Sequence, residues 1–443
     1  HLNAVVNTPE LRVAYNDNLP KITAFYTALG QNSALYDRFL TLEQSADFSA
    51  LDYGQQTAVR HALRDFRLNG VHLPPAQKER LKIIKDNLAS LSARFEENIM
   101  DATNDYTLFI TDQAELAGIP EDVLENAAAL ALSKGQKGWV FTLHAPCYIP
   151  TLQYAENRQL RETLYYAYAT RASEFGKPQW DNTALMNNIL ALRQEMATLL
   201  GFESYGALSL VTKMATSMSE VENFLRDFAS KARAFAEADV ADLKTHSQSL
   251  GLPELQAWDV AFVSEKLRQQ RYTFSEQEVK QFFPAELVLK GLFSLVETLF
   301  QLHIEECPVS VWHEEVRFYQ ISDAKQQVIG GFYLDAQARA HKRSGAWMEE
   351  AICRRMVDGK PVLPVAFLTC NFSTSIGGKP ALLSHDEVQT LFHEFGHGLH
   401  HLLTTVNTYS VAGIKGVEWD AIELPSQFME NFCWEWQVLQ QMS

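Results

Sequence analysis

The chain has 443 residues, 47% of them hydrophobic, enough for two or three domains with ample core and too many for wholesale disorder. Its 38 basic and 54 acidic residues leave a net charge of −16, which argues against nucleic-acid binding because that function needs a basic patch. No signal peptide or run of 18 apolar residues is visible, so no membrane span is expected, and five dispersed cysteines (Cys147, Cys307, Cys353, Cys370 and Cys433) read as reduced thiols of a cytoplasmic protein.

In chain order, Leu81, Ile84, Leu88, Leu91, Phe95 and Ile99 repeat at three and four residues, predicting a long amphipathic helix that starts near Pro74 and Pro75. The run from Ser133 to Gly138 breaks the helical pattern, and we place there a division between an N-terminal helical region, 1–137, and a catalytic region, 138–443. Ser219 and Glu222 read as a capping box ahead of a helix that turns Val221, Leu225, Phe228, Ala232 and Phe235 to one face. Strand signals are fewer: Trp139 to Leu143, Val316 to Gln320, Ile329 to Asp335 and Val365 to Asn371. The expected fold is therefore mainly α, with a small sheet just before the segment that carries the chemistry. Gly330-Gly331, Gly377-Gly378 and Gly413 to Gly416 read as turn glycines, the first and third as flexible borders of a site; none has the pattern of a phosphate loop.

That chemistry lies in His393-Glu394-Phe395-Gly396-His397. One helical turn brings positions i and i+4 together, so both imidazoles can reach one tetrahedral zinc ion. Glu394, about 100° around the helix from His393, is poised to take a proton from water activated by the metal. Ser384 and Glu387 form a capping box for this helix, and Val388, Leu391, Phe392, Phe395, Leu399, Leu402 and Leu403 predict its burial. Gly396 and Gly398 cost helix stability, which points to close approach of neighbouring backbone. His397 and His401 are also spaced i, i+4, but Gly398 stands where the base would be; His400 and His401 read as packing or orienting histidines.

A hydrolytic zinc ion needs a third protein ligand. Asp420, Glu423 and Glu430 follow at helical separations, and spacing alone does not choose among them. Pro425 is tolerated in a first helical turn, which puts Glu423 near a helix start. Serine or cysteine nucleophile chemistry lacks support, since no G-x-S-x-G element occurs.

The run HEFGHGLHH, His393 to His401, followed by GIKGVEWDAIELPSQFMENFCWE from Gly413 to Glu435, closely resembles the thimet oligopeptidase family. GGFYLDAQARAHKRSGAW from Gly330, FLTCNF from Phe367, HLNAVVNTPELR at the start and ALRDFRLNGVHLP from Ala62 resemble it too, so the likeness runs along essentially the whole chain. It implies a multi-helical zincin-like metallopeptidase with a small mixed sheet next to the HExxH helix. The implied cofactor is one zinc ion per chain, held by His393, His397 and Glu423, with Glu394 as the catalytic base and short peptides as substrates. Asp420 and Glu430 become candidates for orienting the ligands. In related zinc peptidases an edge strand pairs with the substrate backbone, a part for which Val365–Asn371 or Ile329–Asp335 is the expected strand unless both of its edges are covered. Against the family pattern the chain reads as an internal piece without the first several dozen residues or the final stretch of glycine, His and Tyr that binds substrate. The rival expectation is a non-catalytic peptide-binding or scaffold protein with a metallopeptidase fold. Substrate-binding residues and oligomeric state are not assigned by the sequence.

Overall fold

The computed structural model describes residues 1–374 and 379–443; Gly377 and Gly378, read above as turn glycines, lie outside the described residues. Most of the chain is helical, and among the described residues nine strands supplement the helices: β1 Leu108–Ile110, β2 Trp139–Phe141, β3 His303–Glu306, β4 Arg317–Ser322, β5 Val328–Gln337, β6 Trp347–Ile352, β7 Arg355–Val357, β8 Lys360–Val362 and β9 Val365–Phe372. No helix is long and apolar enough to cross a membrane among the described residues.

The expected first long helix spans Pro75–Asp105, with Pro at its start where a missing N–H costs nothing, and it turns Leu81 and Ile84 fully inward. The capping reading further on is shifted. Ser217, not Ser219, caps the helix Met218–Ser249 by accepting from the Glu220 N–H, because Ser219 already lies inside the first turn. The face expected to be core is solvent-exposed: Phe228 is 64% and Phe235 75% accessible, and no described element packs over them.

Five strands form a mixed sheet in the order β3-β4-β5-β9-β6, with β5 parallel to β9 and the other pairs antiparallel. Ile329–Asp335 lies in β5, between β4 and β9, and Val365–Asn371 lies in β9, between β5 and β6. Both are interior, so neither is the free edge proposed from sequence; the edges are β3 and β6. Gly330 and Gly331 are likewise inside β5 rather than in a turn. There they make room: a Cβ on Gly331 would lie 2.6 Å from the Phe318 ring.

Alternation along β9 turns Ala366, Leu368, Cys370 and Phe372 to a core shared with Val388, Phe392, Phe395, Leu399 and Leu402 of the helix His385–Leu402. Each large apolar side chain buried there contributes about 1.5–3 kcal/mol, so the sheet holds this helix firmly. Gly398 packs on Leu368, and four residues on Leu402 reaches Gly330 beside Pro364; the helix therefore runs antiparallel to β9 and parallel to β6. A second core combines Ile110 of β1, Phe141 of β2, and Leu152 and Leu164, so residues on both sides of position 137 pack together.

Candidate active site

The helix His385–Leu402 begins at the capping box read from the sequence: Ser384 Oγ accepts from the Glu387 N–H at 3.2 Å, and Glu387 Oε2 accepts from the Ser384 N–H at 2.8 Å. Its first residue, His385, donates from Nε2 to the carbonyl of Cys433 at 3.0 Å, tying the helix start to the segment after the short helix Leu424–Glu430. The two helices touch most closely at Gly396, where a Cβ would fall 2.6 Å from Ser426 Cα and 2.7 Å from the Pro425 carbonyl oxygen. Only glycine permits that approach.

Pro425 sits in the first turn of the short helix and Glu423 is its N-cap residue. From there Glu423 Oε2 lies 3.1 Å from His393 Nε2 and 3.1 Å from His397 Nε2. The three ligand atoms all fall within 4.8 Å of one another, and among the described residues this is the group of three such side chains able to share a metal ion. Donors about 2.0–2.1 Å from a tetrahedral ion sit roughly 3.3 Å apart, close to what is seen. His393 Nδ1 lies 2.6 Å from Glu430 Oε1, so Nδ1 donates to that carboxylate and the ring is fixed with Nε2 facing Glu423 Oε2.

Glu430 is itself held by Gln389, whose Nε2 donates to Oε2 at 2.7 Å. Ser426 Oγ donates to Glu423 Oε2 at 3.0 Å. Gln389 and Ser426 were not picked out by sequence reasoning, although Gln389 stands four residues before His393 on the same helix face. Asp420 takes another part: its carboxylate accepts from the N–H groups of Met214 and Ala215 at 2.9 and 3.0 Å, anchoring the chain just before Glu423 to a distant loop.

Glu394 is buried beside this group. Burial, countered by His393 and reinforced by Glu423, pushes its carboxyl up to about 7, and Oε2 has no hydrogen-bond partner. His397 is also mostly buried, and burial lowers its pKa against the pull of Glu423. His400 and His401 stand outside the group. His401 is fully buried and donates from Nε2 to the Ile352 carbonyl at the end of β6, at 2.9 Å.

Residues 151–443 match Peptidase family M3, and residues 1–78 match the Neurolysin/Thimet oligopeptidase N-terminal domain. Oligopeptidase A of Salmonella typhimurium is 47% identical over 99% of this chain and 65% of its own length; that of Escherichia coli is 46% identical with the same coverage. An organellar oligopeptidase A of Arabidopsis thaliana is 41% identical over 98% of this chain and 56% of its own. The chain thus spans just under two thirds of the bacterial relatives. A crystal structure described as an oligoendopeptidase F from Bacillus anthracis superposes with a TM-score of 0.54 at 14% identity, covering 99% of this chain and 62% of that one, which shows a shared fold.

Proposed function

Because the chain belongs to Peptidase family M3, we propose that it is a zinc-dependent endopeptidase of short oligopeptides. The observation that carries this reading is the convergence of His393 Nε2, His397 Nε2 and Glu423 Oε2 beside the buried Glu394. Those three atoms would hold one zinc ion, which when bound supplies positive charge that polarises a scissile carbonyl and acidifies an attacking water. Glu394 is the general base. Its desolvated carboxylate accepts the proton of the attacking water and returns it to the leaving amine. Glu430 fixes the ring of His393 by accepting its Nδ1 proton, and Ser426 restrains the Glu423 carboxylate. Five unpaired cysteines fit a reducing cytoplasm. Short peptides are the partners this reading requires, and neither nucleic acid nor membrane is.

Glu394→Gln tests it. The variant should keep one zinc per chain and lose cleavage of a quenched fluorogenic oligopeptide by about 10²–10⁴-fold. Undiminished cleavage would remove Glu394 from the mechanism, and zinc-independent peptide binding without cleavage by the parent chain would favour a non-catalytic peptide-binding protein.

A further inference from the structure

β6 is the free edge of the sheet on the side of the histidine helix, and it runs parallel to that helix. Trp347 pairs with Thr369, one residue beyond the Leu368 that packs on Gly398 beside His397, while the Ile352 carbonyl at the other end accepts from His401. The edge therefore runs from the level of the HExxH segment to Ile352, about five strand residues or roughly 16 Å. An extended peptide can pair with such an edge through main-chain hydrogen bonds.

The two ends of this edge differ. Beyond Trp347 lies an open cavity of about 320 Å³, lined by Ala346 just before the strand, by Ile149, Asn371 and Ser373, and by Thr390 one turn before His393. At the Ile352 end residues 404–416, part of the chain between the two helices, are tied to this strand and the residues after it by side-chain contacts. Lys415 Nζ is 3.0 Å from Glu350 Oε1 and 3.2 Å from the Tyr409 hydroxyl. Arg354 Nε donates to Asn407 Oδ1 at 2.8 Å. The Ile352 carbonyl is already occupied by His401, and Gly413, at φ +64°, lies directly against the same imidazole. Behind the strap, Val406 and Thr408 rest on Gly54 of the helix Tyr53–Leu68, so it is backed as well as tied.

We propose that residues 404–416 form an end-stop for a peptide lying along β6, with Lys415 and Glu350 as the specificity-determining pair that sets where the stop falls. This rests on the peptidase reading above. Strand residues advance about 3.3 Å each, so the edge between the catalytic level and the strap accommodates about three to five peptide residues on that side, with no such stop among the described residues on the other. The pair is partly exposed, so its loss should loosen the stop rather than abolish it.

The test uses two ladders of fluorescein-labelled alanine-rich peptides, one lengthened at the amino end and one at the carboxyl end. Binding to the zinc-loaded chain carrying Glu394→Gln is followed by anisotropy. One ladder should stop gaining affinity after about three to five added residues, while the other continues to gain. Lys415→Ala and Glu350→Gln should each improve binding of peptides longer than the stop by about three- to fivefold without changing shorter ones, and the swap Lys415→Glu with Glu350→Lys should restore the stop. Ladders that behave alike at both ends, a stop unmoved in both single variants, or no binding by any peptide would overturn the proposal. Hydrolysis by the unmutated chain is measured separately: its absence alongside an asymmetric ladder would count against catalysis while leaving the end-stop standing.

Discussion

Gly396→Ala separates the metal group from the fold around it. The added methyl would sit 2.6 Å from Ser426 Cα and 2.7 Å from the Pro425 carbonyl oxygen, both main-chain atoms that no rotamer change can move. Carbon atoms in contact need about 3.5–4.0 Å, so the short helix must retreat by roughly 1 Å. Glu423 is the N-cap residue of that helix and would retreat with it, whereas zinc–ligand distances tolerate only about 0.2 Å. Alanine adds about 1 kcal/mol of helix propensity, which offsets part of an overpacking cost of about 1–3 kcal/mol. The metal-free protein should therefore lose less than about 2 kcal/mol, while zinc affinity falls by at least about 10–100-fold. Urea unfolding with chelator present reads the first quantity, and competition against a chromogenic chelator reads the second. Zinc affinity within about twofold of the parent would refute the reasoning, since the two helices would then not be held in place by contact at Gly396.

Three further outcomes follow from the geometry. Glu430→Ala removes the acceptor of the His393 Nδ1 proton and should weaken zinc binding by about 10–100-fold with little change in the unfolding midpoint, as titration and melting will show. Asp335 is buried and accepts from Arg339, Lys342 and Trp312; Asp335→Asn leaves the buried Lys342 ammonium without its counter-charge and should cost about 3–5 kcal/mol in urea unfolding at neutral pH. Burial pushes the Asp335 carboxyl up, but Arg339, Lys342 and Trp312 together hold it below the usual carboxylate range; its stabilisation is therefore full above the unfolded value of about 3.9 and is lost as pH falls through the lower folded value, so the acid arm of the stability curve should be shallower in Asp335→Asn.

The histidine helix was legible because everything that makes it is local: its capping box, its apolar positions and the spacing of its two imidazoles all lie between Ser384 and Leu403. Choosing Glu423 among three carboxylates was not a local matter. It depends on Pro425 setting the helix start and on Gly396 admitting the neighbouring backbone, and the family resemblance supplied what spacing left open. The edge strand escaped notice because β6 carries Glu349 and Glu350 in the middle of a short run, without the apolar alternation that marks a strand. The adjoining hairpin β7-β8 was also missed, although Asp358-Gly359, both at positive φ, is a strong turn signal. On the helix Met218–Ser249 the apolar periodicity is real but faces solvent, since burial depends on what lies opposite and a helical repeat does not encode it.

The most direct measurement is zinc content per chain after dialysis, by elemental mass spectrometry, for the parent and for His397→Ala. The account predicts about one zinc per parent chain and none in the variant, because His397 Nε2 is one of three converging donors. A parent chain that holds no zinc, or a variant that keeps it, would contradict the assignment of His393, His397 and Glu423 as the metal group.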